Sequence, residues 1–253
     1  MTPLSASLLL TWPLIFLRAM GVLMLVPQMA GQSPPITVRL GLAACLATLL
    51  TGVVPTAQLP GSPFGLILAA LGEVALGLGL GFVVQLTFAA VDFAGRLASS
   101  EIGLSGSPGM MTPSVATEPL AGFLSAFSVI LFFAVGAHYW VLSAFARSFA
   151  FAHPGLAAFS PGTGEMLVLA TARLIELGVR MAAPFLALNF LITLAFSVLG
   201  RAVPRIGVFV LSAPVRGLAG LGLFAGAGAL IARYLYVEFS NMPVQMLQLV
   251  GSR

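Results

Sequence analysis

Lysine is absent from this sequence, and its 11 basic residues are all arginines set against only seven acids. Charged residues make up 7% of the chain and hydrophobic residues 59%, whereas ordinary soluble domains carry about 25% charged residues. So few polar side chains cannot cover the surface of a folded chain. The composition excludes an ordinary soluble domain and predicts an integral membrane protein, or a deeply buried subunit of a larger assembly.

The sequence also lacks the motifs of common enzymes and metal sites. It has one cysteine and two histidines, and it contains no H-E-x-x-H, G-x-S-x-G, P-loop or dinucleotide fingerprint. The arginines are scattered from Arg18 to Arg253 without a cluster, which is a poor electrostatic footprint for nucleic acid. We therefore predict a protein that is not an enzyme, uses no cofactor or metal, and binds no nucleic acid. Cys45 lies in an apolar run and is expected to be a small buried side chain.

Long hydrophobic segments are separated by proline-containing breaks. Only helices or closed barrels satisfy backbone polar groups in a bilayer, and these runs exceed the roughly 10 residues of a barrel strand. The sequence therefore predicts an all-α, multi-helix membrane-type protein with about six long apolar helices in a single domain over residues 1–253. An amphipathic stretch, Met166 to Arg180, is predicted to extend the fifth helix. The six segments are Leu4 to Val26, Leu40 to Leu59, Phe64 to Val91, Leu120 to Ala146, Met181 to Leu199, and Ile206 to Ala232.

Two charged residues fall inside these apolar segments. Arg18 follows at least a dozen mainly apolar residues, and an arginine at the centre of a membrane helix costs about 2.5–3.5 kcal/mol on insertion scales. Glu73 shares one helical face with Gly77 and Gly81 at four-residue spacing, which lets another backbone approach closely. The glycines are interpreted as helix-packing positions. For the two charges, a structural ion pair or interface hydrogen bond and a transport relay both remain open.

His138 lies late in the fourth segment, beside Tyr139 and Trp140. Aromatic residues of this kind often occupy the membrane interface. Because no second histidine is near it in the segment, a hydrogen-bonded structural histidine is favoured over a metal ligand or a proton carrier.

The stretch from residue 103 to residue 113 departs from the helical pattern. It is too rich in glycine, serine and proline to continue a helix, yet it ends in two flexible methionines. An ordinary connecting loop is the simpler interpretation, and a flexible seal across a passage is the other. The residues concerned are Gly103, Ser105, Gly106, Pro108, Met110 and Met111.

A collinear series of short motifs runs along the whole chain. In order, these include Arg18 before Pro27 and Pro34, Glu73 leading Gly77-Leu-Gly79-Leu-Gly81, Gly136-Ala-His138, Ser148-Phe149, Pro154-Gly155, and Arg201-Ala-Val-Pro204. The series resembles the FliR/SctT family of type III protein export subunits. Each motif is short, and their order carries the specificity.

The resemblance implies a structural and gating subunit of the bacterial flagellar export channel, through which unfolded protein substrates pass. It implies FliP-like and FliQ-like partners in a helical export-gate assembly, an FlhB-like subunit at its base, and a multi-pass location in the bacterial inner membrane within the flagellar basal body. The loop at residues 103–113 would then plug the pore. The alternatives are the virulence injectisome subunit SctT and a self-sufficient secondary transporter with Arg18 and Glu73 as coupling charges.

Overall fold

The structure, a computed structural model, describes residues 3–25, 34–57, 62–102, 119–157, 159, 162–202 and 208–251. These residues form helices joined by turns and short loops and include no strand, which confirms the predicted all-α class. The helices are α1 Pro3–Met24, α2 Ile36–Thr51, α3 Pro63–Ile102, α4 Pro119–Ala134, α5 Ala137–Phe151, α6 Thr163–Ala202 and α7 Val208–Val250.

Three of the described helices are long and apolar enough to cross a membrane: α3, α6, and α7 from Pro214 to Val250. Helices α4 and α5 make a fourth crossing if this bent pair is counted as one span. Helices α1 and α2 are shorter apolar helices. The predicted count of about six long apolar helices is therefore approximate.

The predicted fourth segment, Leu120 to Ala146, is two helices rather than one. Helix α4 ends at Ala134 and α5 begins at Ala137, and between them Gly136 has a φ of 77°. This left-handed conformation is costly for residues with a Cβ atom and available to glycine. Both helices are apolar on average, although α5 is less so than α4, and a prediction based on apolar run length therefore missed the break.

Helices α6 and α7 both extend beyond the apolar segments from which they are predicted. Helix α6 includes the amphipathic stretch Met166 to Arg180, as predicted. Helix α7 continues to Val250, well past the predicted end at Ala232. Its last part buries Leu235, Phe239 and Met242 at spacings of three and four residues, the period of a helix with one apolar face.

The chain divides into two compact units by its internal contacts. Unit 1 comprises residues 1–87, 132–171 and 238–253, and unit 2 comprises residues 88–131 and 172–237, in each case where the structure describes them. Helices α3, α4, α6 and α7 each contribute residues to both units. The single domain over residues 1–253 stays a prediction.

Each unit has its own buried core. In unit 1 the fully buried side chains include Ile15, Leu76, Leu80, Phe149 and Met246. In unit 2 they include Leu124 and Phe185, with small residues of α3 at Ala90, Ala94 and Ala98. The small α3 residues let a neighbouring helix come close, since a Cβ atom on Gly95 would lie 2.6 Å from the Cα atom of Ala121.

Large apolar side chains also cover much of the outer surface. Phe64 is 72% exposed, Leu49 67% and Phe190 67%, on three different helices. Soluble monomers rarely leave so much contiguous apolar surface in water. These faces need lipid or partner chains to cover them, as the composition predicts.

Candidate functional site

Helices α1 and α3 of unit 1 touch backbone to backbone. A Cβ atom on Gly81 would lie 2.7 Å from the carbonyl oxygen of Val22, and one on Gly21 would lie 2.8 Å from the carbonyl oxygen of Val74. A Cβ atom on Gly77 would overlap the carbonyl oxygen of Arg18. Helix α3 thus packs against α1 through the face that carries Gly77 and Gly81, as the spacing predicts.

The two charges inside the apolar segments meet at this crossing. The Nε atom of Arg18 donates a hydrogen bond to Oε2 of Glu73 at 2.6 Å, and neither side chain has any exposed area. Glu73 precedes Gly77 by one helical turn, on the same side of α3. The close approach at Gly77 therefore holds Arg18 within reach of Glu73.

The remaining polar atoms of the pair are bound by α5 and the segment that follows it. Nη1 of Arg18 donates to Oγ of Ser148 at 3.1 Å, and Nη2 donates to the carbonyl oxygen of Ala152 at 3.0 Å. The backbone N–H of Gly155 donates to Oε1 of Glu73 at 2.9 Å. The ion pair consequently joins α1, α3 and α5 into one network, here called the Arg18 network.

An aromatic ring completes the surroundings of the guanidinium. The Cζ atom of Arg18 lies 4.0 Å from the centre of the Phe149 ring, a distance at which the ring face attracts a cation. Ser148 is itself oriented, because its hydroxyl donates to the carbonyl oxygen of Phe145 at 2.7 Å. The geometry favours a structural ion pair within one chain, since both charges are paired and hydrogen-bonded and neither side chain is exposed.

His138 lies in unit 1 but is not bound to the Arg18 network. Its ring is stacked at a tilt against Tyr139, with ring centres 4.0 Å apart, and lies near Phe133 at 5.2 Å. Its Nδ1 atom is buried and has no hydrogen-bond partner among the described residues. The hydrogen bond expected for this histidine is thus not found at Nδ1, and aromatic contacts hold the ring instead.

Cys45 corrects one expectation from the sequence, because its side chain is exposed rather than buried. Helix α2 packs through Ala43 and Ala47, which are fully buried. Cys45 stands between them in sequence and so points about 200° away from each around the helix.

Unit 2 holds a smaller polar cluster. Nδ2 of Asn189 donates to Oε2 of Glu101, and Nη2 of Arg216 donates to Oγ1 of Thr193 at 3.2 Å. Glu101, Asn189 and Arg216 line one small crevice at the C-terminal end of α3. This end of α3 leads directly into the segment from residue 103 to residue 118.

The comparisons with known proteins identify the family. The chain matches the family model described as bacterial export proteins, family 1, over residues 9–242. It belongs to this family. The matched range includes every residue of the Arg18 network.

Relatives of this bacterial export protein include flagellar biosynthetic proteins and a Yop proteins translocation protein. The flagellar biosynthetic protein FliR of Escherichia coli (strain K12) is 28% identical over 235 residues, which cover 91% of this chain and 89% of that protein. FliR of Caulobacter vibrioides is 28% identical over 218 residues, covering 84% and 86%. The Yop proteins translocation protein T of Yersinia pestis is 27% identical over 216 residues, covering 82% of each.

The predicted plug residues of this export protein lie outside the described residues. They are Gly103, Ser105, Gly106, Pro108, Met110 and Met111. Helix α3 ends just before them, at Ile102, and α4 begins after them, at Pro119. Their role stays a prediction.

Several members of the Arg18 network were not predicted as site residues. Ser148-Phe149 and Pro154-Gly155 belong to the motifs that carry the family resemblance, but the sequence assigns no contact to them. Ala152 contributes a backbone carbonyl, for which its side chain gives no signal. Among the described residues, no group of three His, Cys, Asp or Glu side chains is placed to hold a metal ion.

Proposed function

We propose that this protein is a non-enzymatic structural and gating subunit of the bacterial flagellar type III export channel, which helps to form the pore for unfolded substrates. The observation that carries the proposal is the near full-length similarity to FliR of Escherichia coli, covering 91% of this chain. Membership in the bacterial export proteins supports the same role. The location would be the bacterial inner membrane, within the flagellar basal body.

The exposed apolar surface supports assembly with other subunits. Helix α6 alone exposes Phe190 to 67%, Leu191 to 61% and Leu194 to 53%. Such faces pack equally well against lipid and against apolar helices of another subunit. FliP-like and FliQ-like subunits, with an FlhB-like subunit at the base, are the partners we propose for them.

The Arg18 network weakens the rival proposal of a secondary transporter. A coupling charge must change partners or exchange a proton during the cycle, and it usually faces a water-filled cavity. Arg18 and Glu73 are instead fully buried, and both Glu73 carboxylate oxygens already accept hydrogen bonds. This geometry supports a structural role for the two charges better than a role as mobile coupling charges.

The virulence injectisome is the second candidate system, because the Yersinia translocation protein is 27% identical. The flagellar system is preferred, because FliR of Escherichia coli matches over 91% of this chain and the Yersinia protein over 82%. Restored swimming in a cell that lacks its own FliR would support the flagellar assignment. Restored effector secretion without swimming would favour the injectisome.

The first test is copurification. A tagged full-length chain, extracted from native membranes in mild detergent, is expected to recover FliP-like and FliQ-like subunits in fixed proportion, as measured by mass spectrometry. The matched control is the tagged variant Glu73→Leu, which leaves the buried guanidinium of Arg18 unpaired and is expected to recover little of either subunit. Recovery of the unmodified chain as an isolated monomer or homodimer would contradict the proposal.

The second test concerns the proposed plug. Deletion of residues 103–113 is expected to let ions and small solutes enter cells, because the flexible methionines no longer close the pore. A Gly/Ser segment of equal length in the same place keeps the chain connection and is expected to leak as well. Solute uptake measures the leak, and copurification shows that the assembly is intact. Tight cells with an intact assembly would show that this loop is not the plug.

A further inference from the structure

Unit 1 contains an apolar cavity that the proposed function does not use. Its volume is about 240 Å³, and its walls come from α1, α2, α3, α4 and α5. This is slightly smaller than the roughly 300 Å³ at the low end for small-molecule sites, so it suits a slender occupant. The lining includes Ala19, Leu42, Leu46, Val84, Val141 and Leu142.

The cavity opens to the outside of the unit. Three of its lining side chains are partly exposed, Leu42 to 48%, Phe133 to 49% and Leu142 to 41%. In a chain with membrane-spanning helices, an apolar opening of this kind faces hydrocarbon rather than water. The molecules next to the opening are then lipid acyl chains, which are slender and apolar.

A cation lies at one end of the cavity. Arg39 precedes Leu42 by three residues and Leu46 by seven, which places all three on one face of α2. Nη1 of Arg39 donates to the carbonyl oxygen of Met24 at 3.2 Å, and Met24 follows the lining residue Leu23. Arg39 is therefore held at the mouth of the cavity, beside the end of α1.

The guanidinium of Arg39 retains donor capacity. Among the described residues its hydrogen bonds run from Nη1 to Met24, which leaves other N–H donors of the guanidinium unused. The planar fork of an arginine matches two oxygens of a phosphate group. The described residues that line the cavity include no acid that would compete for this cation.

His138 is the other polar side chain of the cavity, and it lies toward the end where Arg39 is held. Arg18 contacts Ser148 near the end of α5, whereas Leu23 shares the cavity with Val141, so α1 and α5 run in opposite directions. His138, at the start of α5, is consequently remote from Arg18 and lies toward the end of α1 that Arg39 touches. The cavity is apolar along its length and polar at one end, as a phospholipid is.

We propose that this cavity binds one acyl chain of an anionic phospholipid, whose phosphate is held by Arg39. The cation at the mouth and the slender apolar interior together point to this ligand. The site is independent of the proposed role in export. It would fix α2 against α1 and α5 within the membrane.

The test measures the lipid that the full-length chain retains. The chain is purified with its native partners in mild detergent, and bound lipid is counted and identified by native mass spectrometry. We expect one retained phospholipid per chain, with phosphatidylglycerol preferred over phosphatidylethanolamine. Arg39→Gln is expected to lower this preference about fivefold, the value of one basic residue near an anionic lipid. The matched control Arg147→Gln removes an exposed cation from α5 and is expected to change nothing.

A second pair of variants tests the cavity itself. Leu42→Trp fills the opening and is expected to abolish retention, whereas Leu40→Trp places the same ring on the opposite face of α2 and is expected to preserve it. Thermal stability of each variant shows that the fold is kept, and if Leu42→Trp does not fold, the arginine pair decides. Equal lipid preference in Arg39→Gln and Arg147→Gln, or retention by a folded Leu42→Trp, overturns the proposal. A cross-link from position 42 to a partner protein in native membranes also overturns it.

Discussion

Arg18→Met is expected to lower the free energy of unfolding by about 3–5 kcal/mol, because it leaves the Glu73 carboxylate buried without its cation. Glu73→Leu is expected to have an effect of the same size, with the guanidinium left unpaired. A loss of this size approaches the whole stability of many domains. The measurement is the amount of protease-resistant full-length protein in membranes, together with thermal denaturation in detergent.

An exposed ion pair in the same chain provides the control. Glu176 and Arg180 are paired one helical turn apart on α6, and their side chains are 58% and 63% exposed. Glu176→Gln is expected to change the free energy of unfolding by less than about 0.5 kcal/mol, because exposed pairs contribute little. If Arg18→Met is as mild as this control, the Arg18 network does not stabilise the fold.

The double variant Arg18→Met/Glu73→Leu separates structure from transport. Replacing both members of a buried pair by apolar groups is often close to neutral, so the double variant is expected to recover most of the stability that either single change removes. A structural role predicts that the recovered protein also supports export. A folded double variant that is inactive in export would show that the charges act beyond stability, as the transporter interpretation requires.

The sequence indicated that Arg18 and Glu73 are charges that cost free energy to bury, but it did not indicate their full set of contacts. A charge inside an apolar run is visible in the sequence, and so is the spacing of Glu73, Gly77 and Gly81. The partner of Glu73 lies 55 residues away, and Ser148 lies 130 residues from Arg18. Such pairings depend on the path of the whole chain, and a serine in an apolar helix carries no sign of its partner.

The same limit applies to the fold. Apolar run length predicted the helical class and most helix positions, because burial and membrane solvation both require apolar side chains. It missed the turn at Gly136, where a left-handed backbone conformation separates α4 from α5, because the chain is apolar on average on both sides of the turn. It also missed the end of α7, because the residues beyond Ala232 mix a buried apolar face with polar and charged side chains such as Arg233 and Asn241. Exposure of Cys45 depends on which face of α2 finds a neighbour, and hydropathy does not indicate this.

Gly77→Ala is expected to lower the free energy of unfolding by about 1–3 kcal/mol, the usual cost of overpacking, and Gly77→Val by more. The added Cβ atom would overlap the carbonyl oxygen of Arg18, which belongs to the backbone of α1 and can yield only if the helix moves. Thermal denaturation in detergent measures the loss. Gly226 provides the control, since a Cβ atom there meets no atom of the described chain within 4 Å. Gly226→Ala is expected to be neutral or stabilising by up to about 1 kcal/mol, as for alanine in a helix.

A combination of variants tests whether the helix crossing and the ion pair are one contact. Arg18 supplies both the carbonyl oxygen that faces Gly77 and the guanidinium that binds Glu73. If α1 moves away in Gly77→Ala, the ion pair is already weakened, so adding Glu73→Leu should cost less than it does in the unmodified chain. Additive losses in the double variant would show instead that the guanidinium stays on Glu73 when the helices separate.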